Sequence, residues 1–199
     1  MRDLHVIEAP QTAALVMDPI KARLLAALSE PASAASLAGK VGLARQKVNY
    51  HLRALEEHGL VEPIEERQWG GLTERLVVAT AASYVVSPAA LGCIGADPAR
   101  SNDRLSASYL IALAARIVSE VGRLWQTART GNKRLATLSI DMVIRFKSPA
   151  DRAAFTEDLT NAVAALAARY HDERTSGGRP HRLVVAAYPA PAGAKPRGE

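Results

Sequence analysis

The stretch ARQKVNYHLRALEEHGL, residues 44–60, decides how the chain is read. Wound as a helix, it sets Val48, Leu52 and Leu55 on one stripe, because residues three and four apart share a face of a 3.6-residue turn. Away from that stripe lie Gln46, Tyr50 and Arg53, flanked by Arg45, Lys47 and Asn49, and no acidic residue comes before Glu56. A continuous basic and amide surface of this kind suits DNA. Arg forks onto guanine, Asn binds adenine through two hydrogen bonds, and Lys and Tyr reach phosphates or base edges in a major groove. Gly59 predicts a left-handed C-terminal cap, and Leu60 the apolar contact that accompanies one. On its own the stretch fits a generic amphipathic helix with a solvated basic face equally well, so its neighbours have to separate the two readings.

Upstream, Asp18 and Pro19 mark a helix start: Asp caps free amides, and Pro at the first helical position forfeits no hydrogen bond. Ile20, Leu24 and Leu28 line one face of this helix to about Ser29. Ser33 caps a second helix running through Leu37 to Val41, and Gly42 allows a sharp turn before the third. Helix, helix, turn, helix is the spacing a helix-turn-helix needs to lay its second helix across the recognition helix. Further upstream, the apolar residues 13–17 predict a short leading helix or strand.

Downstream of Leu60 the period changes. Residues 60–66 and 72–79 read as strands joined through Arg67, Gln68, Trp69, Gly70 and Gly71, a hairpin with paired glycines at its tip. The hairpin, residues 60–80, is expected to act as a wing that brings Arg67 and Arg75 toward phosphate or the minor groove, where Glu65 and Glu66 would repel DNA if they faced it. Trp69 at such a tip is either a DNA contact or a side chain folded back on the third helix.

Residues 18–67, DPIKARLLAALSEPASAASLAGKVGLARQKVNYHLRALEEHGLVEPIEER, resemble the winged helix-turn-helix of ArsR-type bacterial transcriptional regulators. The resemblance spans roughly residues 15–80, and its most specific part is VNYHLRALEEHGLV, residues 48–61. It implies sequence-specific binding to operator DNA as a homodimer, usually as a repressor. It further implies that Arg45, Asn49 and Tyr50 read bases, while Gln46, Lys47 and Arg53 lie on or near the backbone. His51 falls on the family's His-Leu pair, at the edge of the core face, and is read as structural. The cysteines of the family's metal-sensing branch are missing from residues 18–60.

Residue 86 is expected to close the DNA-binding domain, residues 1–86, with a further extended piece at 83–86. The punctuated stretch 87–100, which holds Cys93, then reads as a linker. Ser101 or Asn102 is expected to cap a long helix over 103–129. On it Tyr109, Leu110, Leu113, Ile117, Val121 and Leu124 make an apolar stripe too broad for one small domain to cover, so that stripe is the expected homodimer interface. Residues 138–146 and 182–188 alternate like strands, with a helix between them carrying Phe155, Leu159, Ala162, Leu166 and Tyr170. The expected fold is therefore α+β: a winged helix-turn-helix, a dimerisation helix and a small C-terminal β-α-β unit. Residues 101–188 form the second domain, and a disordered tail covers 189–199.

Composition narrows the function. The 199 residues carry a net charge of +5, which favours a polyanionic partner without naming one, and 48% hydrophobic content rules out wholesale disorder; double-stranded DNA is the partner expected from helix 44–58. The single cysteine excludes an internal disulfide and any multi-thiolate metal site within one chain, and fits a reducing cytoplasm. No signal-peptide run or membrane span is present. Nucleophile elbows, phosphate-cradling glycine loops and metalloprotease motifs are all missing, so no enzymatic activity, metal or cofactor is expected. His171, Asp172 and Glu173 diverge at a helix end and read as a solvated terminus. If the protein has an effector, it is an organic molecule held by Tyr109, Trp125, Met142, Ile144 and Phe146; the competing reading makes those residues plain core. The alternative function is a protein-interaction or architectural winged-helix module without sequence-specific readout.

Overall fold

The computed structural model describes residues 1–69, 72–174 and 176–191, apart from the side chains of residues 67, 69, 72 and 73. The chain divides into two compact units, Met1–Leu135 and Ala136–Glu199.

The first unit begins with strand β1 (His5–Ile7) and helix α1 (Pro10–Met17), so the leading apolar segment is helical. Helix α2 (Pro19–Ala27) starts as its sequence predicts: the Asp18 carboxylate accepts from the amides of Ile20 at 2.9 Å and Lys21 at 3.0 Å. The amide of Lys21, followed by its ammonium, holds the Asp18 carboxyl down at about 2. The short strand β2 (Ala32–Ser33) leads into α3 (Ala34–Val41), which is closed by a reciprocal capping box between Ser33 and Ser36. Gly42 stands at φ 70°, a left-handed conformation that leaves room for the turn into α4 (Arg45–Glu57).

After α4, Gly59 takes φ 67° and Leu60 is fully buried. Strands β3 (Val61–Trp69) and β4 (Leu72–Ala79) form an antiparallel hairpin, and β2 joins its other side to give the order β2-β4-β3. The register shifts between Pro63 and Glu65. A bulge fits there, since Pro63 has no amide to offer the ladder. The core lies between the helices and this sheet, with Leu24, Leu28, Leu37, Val48, Leu55, Leu60 and Val61 at its centre. Beyond the hairpin, β5 (Tyr84–Val86) confirms the expected extended piece, and its parallel partner is β1.

Residues 87–100, expected to be a linker, fall within the first compact unit. They hold two short 3₁₀ turns, Pro88–Ile94 and Pro98–Arg100, that belong to the first unit together with helix α5 (Ala107–Thr130). Ser106 caps α5, in place of the expected Ser101 or Asn102, by accepting from the Tyr109 amide at 3.1 Å. Small residues dock α5: Ala112 and Gly122 are buried, and the Ser119 hydroxyl lies 3.0 Å from that of Ser87. The Gln126 amide also donates to the Val6 carbonyl at 3.0 Å.

The second unit contains helix α6 (Pro149–Tyr170), capped by Ser148, and not one of its residues is buried. The expected β-α-β unit is not seen among the described residues, where neither 138–146 nor 182–188 forms a strand. Alternation marks a segment fit for a sheet, but a strand exists only where a neighbour completes its ladder. Of the predicted disordered tail, residues 192–199 lie outside the described residues. Among the described residues, no helix is long and apolar enough to cross a membrane.

Candidate nucleic-acid interface

Helix α4 is fixed from below. Val48 and Leu55 have no solvent exposure, Leu52 is buried beside them, and α3 and α2 pack across the same face. With that stripe buried, Arg45, Gln46, Lys47, Asn49, Tyr50 and Arg53 are all exposed, Tyr50 to 71%. Six side chains able to donate hydrogen bonds thus stand on one rigid helix, and none of them carries negative charge.

A groove of about 560 Å³ separates α4 from the hairpin. Arg45, Gln46, Asn49 and Arg53 line its helix side, and Glu66, Glu74 and Arg75 line its sheet side. Glu74 accepts a hydrogen bond from the Ser33 hydroxyl, which ties β4 to the start of α3. Arg75, expected to reach DNA, is engaged elsewhere. Its guanidinium grips the Glu56 carboxylate through both nitrogens, Nη1 to Oε2 at 2.7 Å and Nη2 to Oε1 at 2.5 Å. Glu56 is lowered from its usual pKa chiefly by that hydrogen bond, and Arg75 is raised by the same contact. A two-pronged ion pair of this kind holds the hairpin against α4 more firmly than a solvated guanidinium could. The side chains of Arg67 and Trp69 lie outside the described residues.

His51 lies on the inner side of α4, buried to 8% exposure, with its ring edge-on to Tyr50 at 5.6 Å. Neither ring nitrogen has a hydrogen-bond partner among the described residues. Desolvation, followed by the Lys21 and Lys47 charges, lowers its pKa, while Asp18 opposes them. Because the folded state disfavours the protonated ring, this contribution to stability is complete above the ordinary histidine pKa of about 6.5 and is lost as pH falls below it. His5 is shifted the same way, by burial and by Arg2 and Arg129. His51→Leu is therefore expected to reduce the loss in urea midpoint between about pH 7.5 and about pH 5.5, with His5 supplying what remains. An undiminished loss in the variant would place the acid sensitivity outside His51.

The other expected sites are distributed as follows. On α5, Tyr109, Leu110, Leu113 and Ile117 are half-buried, while Val121 and Leu124 are exposed. The expected effector pocket is divided between the units, with Tyr109 and Trp125 in the first and Met142, Ile144 and Phe146 in the second. Trp125 stacks under the Arg129 guanidinium at 5.2 Å, and Phe146 meets Phe155 at 5.3 Å. Sequence reasoning missed a small polar cavity of about 200 Å³ where Asp97, Arg100, Arg116 and Ser119 meet beside the 3₁₀ turns. Its signal was the Asp97–Arg116 ion pair, at 3.0 Å, which joins groups far apart in the chain. Among the described residues no group of three or more His, Cys, Asp or Glu side chains is placed to hold a metal.

A family model described as a helix-turn-helix domain matches residues 16–64, from the end of α1 into β3. No curated protein matches the chain. Helices α2 to α4 are thus the core of a helix-turn-helix domain, the kind of module found in DNA-binding regulators.

Proposed function

We propose that this protein is a sequence-specific transcriptional regulator of the ArsR type, a homodimeric repressor that binds an inverted-repeat operator in the cytoplasm. In this reading α4 enters the major groove, the β3–β4 hairpin is the wing, and a two-fold pair sets the recognition helices about one DNA turn apart, roughly 34 Å. The observation that carries it is the exposed face of α4, where Arg45, Gln46, Lys47, Asn49, Tyr50 and Arg53 share one surface above a buried Val48, Leu52 and Leu55. The matched helix-turn-helix family, which occurs in ArsR-type regulators, supports it. Exposed Ile111, Val121 and Leu124 on α5 support a dimer. The protein acts by binding, not by catalysis, and needs no cofactor or metal; any effector is a small organic molecule.

Selecting operator fragments from genomic DNA and then comparing them with random duplex tests the reading. Specific sites are expected to bind about 10³-fold or more tightly than random ones. Asn49→Ala is expected to relax preference at one base pair per half-site, at about 1–3 kcal/mol, whereas Lys47→Ala weakens all sequences alike and reduces the salt slope by about one unit. Equal affinity for selected and random DNA would instead favour an architectural or protein-interaction module.

A further inference from the structure

In the second unit, apolar character and burial disagree. Leu138, Ile140, Met142 and Ile144 recur at every second position, yet Leu138 is 83% exposed and Ile140 75%. Leu183, Val185 and Tyr188 are exposed in the other extended segment, as are Leu166 and Tyr170 on α6. The backbone of residues 138–146 makes no ladder with any described residue. This unit has the side chains of a folded domain, but among its described residues it has no core.

We propose that residues 138–146 and 183–188 become strands of a sheet shared with a second copy of this chain, with α6 covering its apolar face. Leu138, Ile140, Met142 and Ile144 in the first segment and Leu183 and Val185 in the second are each 42–83% exposed, the open apolar surface that an interface of standard size, ~800 Å² per partner, buries. Extended segments with open backbone groups and a period-two apolar face are suited to strand addition, in which hydrogen bonds join the chains and alternate side chains fill the layer beneath. A second copy fits better than an occasional partner. A unit lacking a core needs its cover permanently, and an identical chain is present wherever this one is made. Charge favours self-pairing as well. Asp151 lies in the first turn of α6 and Arg169 in its last, so two α6 helices running antiparallel about a two-fold axis set each Asp151 near the Arg169 of the second copy. The inference deepens the dimeric part of the proposed function and is independent of its DNA-binding part.

The test combines sedimentation velocity with hydrogen exchange on the full chain. The wild type is expected to be a dimer at micromolar concentration, with the amides of 138–146 and 183–188 exchanging about tenfold or more slowly than an unstructured peptide. Ile140→Glu, on the apolar face, is expected to weaken dimerisation about tenfold or more while retaining the helical circular dichroism. Ser139→Glu, on the opposite face, should leave the dimer intact. A wild-type monomer overturns the proposal, and so does a dimer whose 138–146 amides exchange without protection. A Ser139→Glu chain as dissociated as Ile140→Glu does the same. If Ile140→Glu fails to fold, the wild-type exchange pattern still decides. Selected and random DNA are titrated on the same preparations: a protected dimer that does not discriminate between them removes the regulatory reading and leaves this inference standing.

Discussion

Replacing Arg45 and Arg53 together by Glu is expected to lower affinity for double-stranded DNA by roughly 10³-fold, with unfolding by heat essentially unchanged. The two effects separate because both side chains are exposed on α4 while the packing beneath it is supplied by Val48, Leu52 and Leu55. Each arginine lost from a base or phosphate contact removes about 1–3 kcal/mol, and each glutamate adds repulsion against the duplex. The double change also moves negative charge into a groove that Glu66 and Glu74 already line. Fluorescence anisotropy checks the affinity, and the slope of log affinity against log salt should flatten by about one unit, because Arg53 is assigned to the backbone and Arg45 to a base. A loss smaller than about threefold would mean that α4 is not the surface that meets DNA.

The legible part of the fold was the part written in local chemistry. Asp18 before Pro19, Ser33 as the cap of α3, and Gly42 and Gly59 at turns all act through neighbours in sequence, and the structure places each as its type predicts. The face of α4 was legible for the same reason, since the helical period alone separates Val48 from Asn49. Partners distant in the chain were not. Strand β1 was missed because it exists only through its ladder with β5. The Arg75–Glu56 pair was not legible either, because nothing near Arg75 in sequence marks Glu56 as its partner. Residues 138–146 show the converse case, in which the alternation is clear in the sequence but no strand partner for it stands among the described residues. The docking face of α5 escaped notice because Ala112, Ser119 and Gly122 carry little apolar surface; they matter by being small.

That smallness leads to the second large effect. Gly122→Leu is expected to destabilise the first unit by about 3 kcal/mol, near the upper end of overpacking costs. A Cβ at residue 122 would stand 2.8 Å from Val6 Cγ1 and 3.3 Å from Val6 Cβ. Val6 has little freedom to retreat: it is buried, its neighbour Ile7 is in the core, and β1 is held by its ladder to β5. A β-branched side chain is also stiff about its first torsion. Leucine's better helix propensity returns up to about 1 kcal/mol, which the clash outweighs. The strain is relieved when α5 lifts from β1, and that movement breaks the Gln126–Val6 hydrogen bond. Thermal unfolding followed by circular dichroism should show a midpoint lower by roughly 10 °C. Limited proteolysis should cut α5 first. Gly39→Leu in α3 is the matched control, because a Cβ there meets nothing within 4 Å. That variant is expected to be neutral or slightly stabilised through propensity alone. If the two leucine variants melt together, α5 is not packed on β1 in solution, and the contact that places it in the first unit is lost with it.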